Sequence, residues 1–301
     1  MKIGLALGGG GARGLAHIGV LEVLEKEKIP IDFISGTSMG AVVGALYAKK
    51  GKVDYLKSKI FPFLKRELIK ELEERFSLAS QKDISKNPKV KKAFLFIREF
   101  YLWNIRIVKK GLIDYRPFEV LFKEALDEWK FSDCKIPFLC VAVDLVKGEE
   151  VYLGEGLLYK ALLASCALPG VFPPLREGEK YLVDGGVLEA LPTLALRKKK
   201  IDFILGVSLE KKRQERVGRS SIDILLNVDE IRYNRLLEIF KNLADFIFEP
   251  EVSDFGWADF SKVDTIIERG RQEALEKLPQ LKKRLKRRRF FPFFRKGGCY
   301  G

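Results

Sequence analysis

The chain has 301 residues, and 47% of them are hydrophobic, so it is long enough to bury one large core and too apolar for a disordered chain. Its formal net charge is +14, but residues 282–296 hold nine basic groups and no acidic ones, so the excess is mostly a property of that segment. The cysteines show no C-x-x-C spacing, which argues against a metal site and for reduced thiols in the cytoplasm. We expect neither a signal peptide nor a membrane span, because glycines interrupt the N-terminus and no apolar run reaches about 18 residues.

The first 50 residues predict two strand–helix units. Residues 2–7 predict a strand, residues 8–14 (Gly-Gly-Gly-Gly-Ala-Arg-Gly) a loop, and residues 15–28 a helix. A loop without Cβ atoms can turn its N–H groups toward one point at the positive end of the helix, which suits an oxyanion or a phosphate. Alternation of this kind predicts a parallel sheet with helices on both faces.

The same loop also fits a dinucleotide-binding fingerprint, Gly9-x-Gly11-x-x-Gly14, with Asp32 as a candidate ribose-binding acid. Asp32, however, precedes the second strand, whereas a ribose ligand is expected at the end of that strand. A Walker A loop is excluded because no Gly-Lys-Ser/Thr follows the glycines. A nucleotide-binding α/β protein is therefore an alternative, which a cofactor titration tests.

A second motif lies where the apolar run at residues 32–35 changes into a small-residue helix at residues 41–46. Residues 36–40 read Gly-Thr-Ser-Met-Gly, which places Ser38 on a tight strand-to-helix turn. Such a turn forces the serine backbone into a strained region, which glycines two residues to either side tolerate, and it exposes Oγ at the carboxyl end of the strand. The pattern predicts a nucleophile elbow, and an ordinary glycine-bounded turn is the alternative.

The alternation stops between residues 51 and 113, where we expect a helical insertion or lid. Two amphipathic stretches, residues 60–76 and 90–109, lie on either side of a polar hinge at residues 80–88. The second stretch carries an aromatic face with basic neighbours: Phe94, Phe96, Ile97, Phe100, Tyr101, Trp103, Ile107 and Val108, with Lys91, Lys92, Arg106, Lys109 and Lys110. This face suits packing on the body of the protein, an acyl-chain groove or a lid on a bilayer.

Helices at residues 116–129 and 157–168 and strands at 137–146 and 151–153 resume the alternation. A short strand at residues 181–183 then ends at Asp184-Gly185-Gly186. If this strand is a parallel neighbour of the strand before Ser38, Asp184 points into the same crevice and is the candidate base; a simple Asp-Gly turn is the alternative.

The single histidine, His17, lies upstream of Ser38 on the first helix, whereas an α/β-hydrolase triad runs serine, acid, histidine. We expect His17 to be a helix-face residue that is hydrogen-bonded near the glycine loop, and not the base.

The last third predicts a helix at residues 191–200, a strand at 201–209, a helix at 222–244, a strand at 246–250 and a long helix at 262–281. Residues 282–301 combine basic groups with phenylalanines and have no periodicity, so we expect them to be disordered in water. The predicted organisation is one catalytic domain at residues 1–281, with the 51–113 insertion, and a basic aromatic tail at 282–301.

In this order the motifs resemble the patatin-like phospholipase family. The resemblance is close over residues 1–50 and about 111–209, and looser over 245–281. The resemblance rests on five motifs: the glycine loop that ends at Arg13-Gly14, residues 15–21 (Leu-Ala-His-Ile-Gly-Val-Leu), the Gly-Thr-Ser-Met-Gly elbow, Ala164-Ser165 with residues 168–174 (Leu-Pro-Gly-Val-Phe-Pro-Pro), and Asp184-Gly185-Gly186.

The resemblance implies a three-layer α/β sandwich with a mostly parallel central sheet and a helical insertion. It also implies a Ser-Asp dyad, with Ser38 as nucleophile and Asp184 as base. The supporting residues that it implies are Gly9, Gly10, Gly11 and Arg13 at the oxyanion hole, Gly36 and Gly40 at the elbow, and Gly185 and Gly186 at the dyad loop. One position departs from the pattern, because Glu189 stands where bacterial relatives commonly carry Asn.

These features predict hydrolysis of lipid esters without a cofactor or metal. A carboxylate with an ordinary pKa near 4 is a weak base toward an alcohol, so the dyad needs a dry pocket, which residues 171–175 can supply. We expect a cytoplasmic enzyme, peripheral on the inner membrane face, that meets anionic lipid through the tail and the aromatic insertion. A membrane adaptor with a vestigial dyad is an alternative, and no specific nucleic-acid partner is expected.

Overall fold

The computed structural model describes residues 1–76, 113–209 and 221–290. Within these ranges hydrogen bonds link the strands of one sheet along the path β5-β6-β3-β2-β1-β7-β8, and β4 also pairs with β3. Strands β1, β2, β3, β7 and β8 are parallel, whereas β4, β5 and β6 form antiparallel pairs. The strand bounds are β1 Ile3–Leu7, β2 Phe33–Thr37, β3 Phe138–Asp144, β4 Glu149–Leu153, β5 Leu175–Glu177, β6 Lys180–Asp184, β7 Phe203–Val207 and β8 Phe246–Phe248. The mostly parallel α/β sheet is therefore confirmed.

Helices cover both faces of this sheet. Leu5 and Leu7 of β1 belong to one buried cluster, with Leu21 of the first helix. Ala6, between them, belongs to a second cluster with Leu196 on the other face, because successive strand residues point to opposite sides. The described helices are α1 Ala16–Lys26, α2 Met39–Lys50, α3 Val53–Leu64, α4 Glu67–Phe76, α5 Arg116–Leu126, α6 Leu158–Ser165, α7 Thr193–Lys198, α8 Ser221–Asn242 and α9 Val263–Phe290.

Helices α1 and α9 cross with their backbones in contact. A Cβ added at Gly19 would lie 2.0 Å from the carbonyl oxygen of Ile267, and one added at Gly270 would lie 2.0 Å from that of Ala16. Real Cβ atoms do not approach a backbone oxygen so closely. Any residue other than glycine at these two positions would therefore push the two helices apart. This contact places the start of α9 beside the glycine loop, which precedes α1.

The strands that end at the two candidate catalytic residues meet along β3. Strand β4 pairs antiparallel with Cys140–Asp144, which occupies one edge of β3. The first half of the other edge pairs with β2, and the last of these pairs joins Thr37 to Val141. The second half pairs with β6, and the first of these pairs joins Asp184 to Ala142. Because β2 runs parallel to β3 and β6 runs antiparallel, their carboxyl ends face each other. The expected parallel-neighbour arrangement of these strands is wrong, and their end-to-end meeting replaces it.

The tail prediction needs a correction. Helix α9 continues to Phe290, so residues 282–290, expected to be disordered, are helical. The reason is that the apolar side chains of Leu281 and Leu285 are buried, while Lys282 forms an ion pair with Glu27, 2.6 Å apart. Residues 291–301 and the predicted aromatic face of the insertion lie outside the described residues. No described helix is both long and apolar enough to cross a membrane.

The described part of the insertion consists of α3 and α4, where the sequence predicted one stretch at residues 60–76. Helix α3, which contains Pro62, ends at Leu64, and α4 begins at Glu67. Ile69 and Leu72 of α4 are buried and contribute to the main core.

Candidate active site

Ser38 stands on the strained turn that its flanking glycines predict. It follows β2 and caps α2 with φ 53° and ψ −126°, a conformation that costs a non-glycine residue energy. A Cβ at Gly36 would lie 2.5 Å from Cα of Ala41, and one at Gly40 would lie 2.2 Å from the carbonyl oxygen of Leu7. The turn is thus tight enough to exclude any larger residue at these two positions.

The backbone of this turn is held by a residue from α6. The N–H of Ser38 donates to Oγ of Ser165 at 3.0 Å. The hydroxyl of Ser165 in turn donates to the carbonyl oxygen of Val141 at 2.7 Å. Ser165 is fully buried, so it ties the elbow to the middle of β3.

Asp184 lies within hydrogen-bonding reach of the Ser38 hydroxyl. Burial raises the pKa of the Asp184 carboxyl to about 6, while the hydrogen bonds from Ser38 and from the backbone of Gly186 lower it. The N–H of Gly186 donates to Oδ1 of Asp184 at 2.7 Å. At Gly185 a Cβ would lie 2.4 Å from the carbonyl oxygen of Val141, so the dyad loop packs directly on β3. The structure therefore brings Ser38 and Asp184 together.

The glycine loop contributes unequally to the site. The N–H of Gly9 donates to the carbonyl oxygen of Ala190 at 2.9 Å, so it is not available to an oxyanion. This corrects the prediction of Gly9 as an oxyanion donor, which failed because a sequence does not show which backbone groups a distant loop occupies. Gly10 and Gly11 line the cavity above Ser38, and Gly11 adopts φ 58°.

Arg13 lies in the wall of the cavity with two polar residues of α8. Its side chain is buried, and its Nε donates to the carbonyl oxygen of Gly10 at 3.3 Å. Burial lowers the pKa of the Arg13 guanidinium, and the nearby Tyr233 and Glu230 oppose that change. Burial raises the pKa of the Tyr233 phenol, with a smaller contribution from the charge of Asp184. Arg13 therefore anchors the loop and helps to form a polar wall near the dyad.

His17 is held near the loop, as expected. It is fully buried, and its Nε2 lies 2.7 Å from the carbonyl oxygen of Gly8. Because the partner is a carbonyl, Nε2 carries the proton and donates. Burial lowers the pKa of the imidazole to about 4, so His17 is neutral at neutral pH.

Cys166 is a thiol beside the dyad that the motif analysis did not single out. It follows α6, lines the cavity and lies within hydrogen-bonding reach of Ser38. Burial and the negative charge of Asp184 raise its pKa well above that of a free thiol. The thiol therefore stays protonated, and a protonated thiol is a poor nucleophile.

A cavity of about 1190 Å³ opens over Ser38 and Asp184. On one side its wall is apolar, with Phe118 packed edge-on against Phe172, ring centroids 4.9 Å apart. On the other side α8 supplies polar groups. The apolar wall includes Met39, Val42, Phe63, Ile69, Leu72, Phe118, Phe122, Leu163, Phe172 and Phe260, and the polar wall includes Arg13, Asn227, Asp229, Glu230, Arg232 and Tyr233. The cavity therefore combines an apolar wall with a polar wall around Ser38 and Asp184.

Sequence reasoning did not find the polar residues of α8. Asn227 and Tyr233 stand in a helix whose pattern alone does not show which face meets the site, and no spacing relates them to Ser38. Ser165 stood in a recognised motif without an assigned role, and its contact with Ser38 supplies one. Within the described residues, no group of three His, Cys, Asp or Glu side chains is arranged to hold a metal ion.

Comparison with known proteins identifies the family. The model of the family described as patatin-like phospholipase matches residues 5–197. The chain is 27% identical over 297 residues to lysophospholipase NTE1 of Debaryomyces hansenii, which covers 88% of this chain and 17% of that protein. It is 33% identical over 209 residues to an uncharacterized NTE family protein of Mycobacterium bovis, covering 69% of this chain and 49% of that protein. The chain thus spans half or less of these relatives' lengths.

A solved structure shares the fold. VipD from Legionella pneumophila aligns with a TM-score of 0.50 at 12% sequence identity, over 93% of this chain and 67% of that chain. At this identity the likeness concerns the fold alone.

Proposed function

The chain belongs to the patatin-like phospholipase family, and on that premise we propose that it hydrolyses carboxylic esters of lipids with Ser38 as nucleophile and Asp184 as general base. The observation that carries the proposal is the contact between a serine on a strained elbow and a carboxyl whose burial raises its pKa to about 6. A base with a pKa near the working pH is effective, because it is mostly ionised and still accepts a proton readily.

The reaction follows from this geometry in two steps. Asp184 takes the proton of the Ser38 hydroxyl as Oγ attacks the ester carbonyl, and the alcohol leaves with a proton from Asp184. Water, deprotonated by Asp184, then attacks the acyl-enzyme; the fatty acid leaves, and Asp184 returns the proton to the Ser38 hydroxyl. We assign the oxyanion to the N–H groups of Gly10 and Gly11, each worth about 3 kcal/mol to the transition state if well aimed.

The shape of the cavity supports an amphiphilic substrate. The apolar wall between α3, α4 and α5 suits an acyl chain, and the polar wall from Arg13 and α8 suits a head group. Relatives at 27% identity carry the name lysophospholipase, so we propose monoacyl phospholipids as the first substrates to test.

Contact with an anionic membrane surface is a further part of the proposal. The end of α9 exposes Lys283, Lys286, Arg287 and Arg289, and basic residues near an anionic leaflet contribute about 1 kcal/mol each before screening. Arg288 donates to the carbonyl oxygen of Asp202, which directly precedes β7. The basic end of α9 therefore lies where the parallel strands begin, whereas the elbow lies where they end. The 28 residues of α9, at about 1.5 Å per residue, separate the two ends by roughly 40 Å. The basic end would therefore tether the enzyme without presenting the cavity to the same patch of lipid.

Incubation with a mixed lipid extract tests the proposal. Mass spectrometry should show the loss of defined phospholipids and the appearance of fatty acids with the wild-type protein, and no change with Ser38→Ala. A nucleotide-binding function, the rival for the glycine loop, predicts instead that NAD or ATP binds with micromolar affinity and that the lipids are untouched.

A further inference from the structure

A buried carboxylate that the proposed reaction does not use lies directly below the site. Glu189 is fully enclosed, and it follows the dyad loop by three residues. Ionised side chains are rarely enclosed in this way unless they are paired or hydrogen-bonded.

The backbone of Glu189 and Ala190, here called the hub segment, joins three parts of the site. Oγ1 of Thr37, next to Ser38, donates to the carbonyl oxygen of Glu189 at 2.9 Å. The N–H of Glu189 donates to the carbonyl oxygen of Gly185 at 2.8 Å, and Gly9 donates to Ala190 at 2.9 Å. The elbow, the dyad loop and the glycine loop are thus bonded to one dipeptide.

The side chain of Glu189 fixes the hub segment, and each group hydrogen-bonded to its carboxylate is a donor. Oε1 accepts from the N–H of Ala195, in the first turn of α7, at 3.1 Å. Oε2 accepts from the hydroxyl of Tyr152 on β4 at 2.9 Å. Lys198 donates to that same hydroxyl oxygen at 3.2 Å, which directs the phenolic proton toward Glu189. A protonated Glu189 would need an acceptor for its own proton and would lose one of these bonds.

The groups around Glu189 place the protonation of its carboxylate near neutral pH. Burial raises the pKa of Glu189 to about 7, the hydrogen bonds from α7 and Tyr152 lower it, and the charge of Glu150 raises it. The titratable groups that face Glu189 are Tyr152 and Glu150 on β4 and, through Tyr152, Lys198 on α7. The segments of β2 and the glycine loop that pack on the hub contribute Thr37 and backbone groups.

We propose that Glu189 is a positioning residue: its ionised carboxylate, held by Tyr152 and α7, keeps the hub segment in the place that aligns Ser38, Asp184 and the glycine loop. Protonation of Glu189 releases the hub and slows the reaction. The site then contains two carboxyls that must both be ionised, one reacting with Ser38 and one holding the loops. This inference rests on the proposed ester hydrolysis.

The pH profile of kcat/KM for a soluble p-nitrophenyl ester tests it. For the wild type, the logarithm of kcat/KM should rise with a slope approaching two below about pH 6 and flatten above about pH 7, because two groups ionise. Glu189→Gln cannot ionise, so its slope should be one at every acidic pH. Its kcat at pH 8 should fall about 10-fold or more, because small misplacements of reacting groups are costly.

Two substitutions, at residues that do not line the cavity, should shift the higher of the two breaks in the pH profile of kcat/KM, near pH 7, in opposite directions. Tyr152→Phe removes a donor that favours the ionised form, so the break near pH 7 should move up. Glu150→Gln removes a like charge, so the break should move down. Glu149→Gln, an exposed neighbour on the other face of β4, is the matched control and should leave the profile unchanged.

A wild-type slope of one, or breaks that ignore Tyr152→Phe and Glu150→Gln, would overturn the positioning role. Circular dichroism and melting of each variant establish that it is folded, and if Glu189→Gln does not fold, the two β4 variants carry the test. Failure of the proposed function gives a different result, because Ser38→Ala would then keep hydrolysing the ester.

Discussion

Ser38 and Asp184 end two strands that run toward each other along one edge of β3. Thr37, the last residue of β2, pairs with Val141, and Asp184, the last residue of β6, pairs with the next residue, Ala142. The proposed nucleophile and its proposed base are therefore positioned by consecutive pairings on one strand, and their separation depends on the register of β3. This arrangement suits a two-residue catalytic unit, because β3 fixes both partners rigidly.

Asp184→Asn should abolish activity and stabilise the fold. The folded pKa of about 6 lies above the ordinary value of 3.8, so the stability contributed by Asp184 is present below pH 4 and is lost as pH rises through 6. Since one pKa unit is worth about 1.4 kcal/mol, removing the charge should stabilise the protein at pH 8 by on the order of 2–3 kcal/mol. Urea unfolding at pH 8 and at pH 3.5 measures this, and a variant no more stable at pH 8 would contradict the buried-base account.

His17→Gln should keep most ester hydrolysis. His17 is neutral and donates to Gly8, and a glutamine amide can replace that hydrogen bond. We expect kcat/KM within a few-fold of the wild type at pH 8. If this variant is inactive while Asp184→Asn hydrolyses the ester normally, His17 is the base and the dyad assignment is wrong.

Ser165→Ala should impair catalysis more than folding. The change leaves the N–H of Ser38 without its acceptor, and an unsatisfied buried donor costs about 1–3 kcal/mol. The elbow should loosen, and kcat should fall 10-fold or more, as misplaced nucleophiles react slowly. Ser58→Ala, at an exposed hydroxyl of α3 that bonds its own helix, is the control, and equal rates for the two variants would remove Ser165 from the site.

The basic end of α9 should bind anionic vesicles in a salt-dependent way. Replacing Lys283, Lys286 and Arg287 with Gln should reduce sedimentation with phosphatidylserine vesicles at low salt, while hydrolysis of a soluble ester stays unchanged, because these residues lie far from the cavity. Salt should weaken wild-type binding, since exposed charges are screened beyond about 10 Å at 0.1 M.

The control for that experiment neutralises Lys147, Lys160 and Lys180, which are exposed elsewhere. If both triple variants sediment alike, the end of α9 is not the membrane contact.

The elbow and the dyad loop were predictable from sequence because their signals are local. Gly36 and Gly40 are required within one turn of Ser38, and residues 184–186 combine an acid with two glycines. The direction of β6 was not predictable, since an isolated apolar run of three residues, 181–183, has the same pattern in a parallel or an antiparallel strand. The occupied N–H of Gly9 and the hub segment were also missed, because Gly9 bonds to Ala190 and Thr37 bonds to Glu189, contacts that span at least 152 residues of sequence.

Residues 282–290 illustrate a different failure. Their charge predicted disorder, yet Leu281 and Leu285 recur at helical spacing and are buried. Two apolar residues are too weak a periodic signal in a basic run, and the surface that they cover is formed only in the folded protein.

The most direct test of the account is the identity of the residue that a fluorophosphonate modifies. The reagent reacts with an activated serine and forms a covalent adduct, which peptide mass spectrometry locates. We expect one adduct, on Ser38, and we expect it to form faster as the pH rises through 6. Ser38→Ala should form no adduct, and Asp184→Asn should form it more slowly than the wild type. Labelling of Ser38→Ala as fast as the wild type, or of a serine other than Ser38, would contradict the assignment of Ser38 and Asp184 as the catalytic pair.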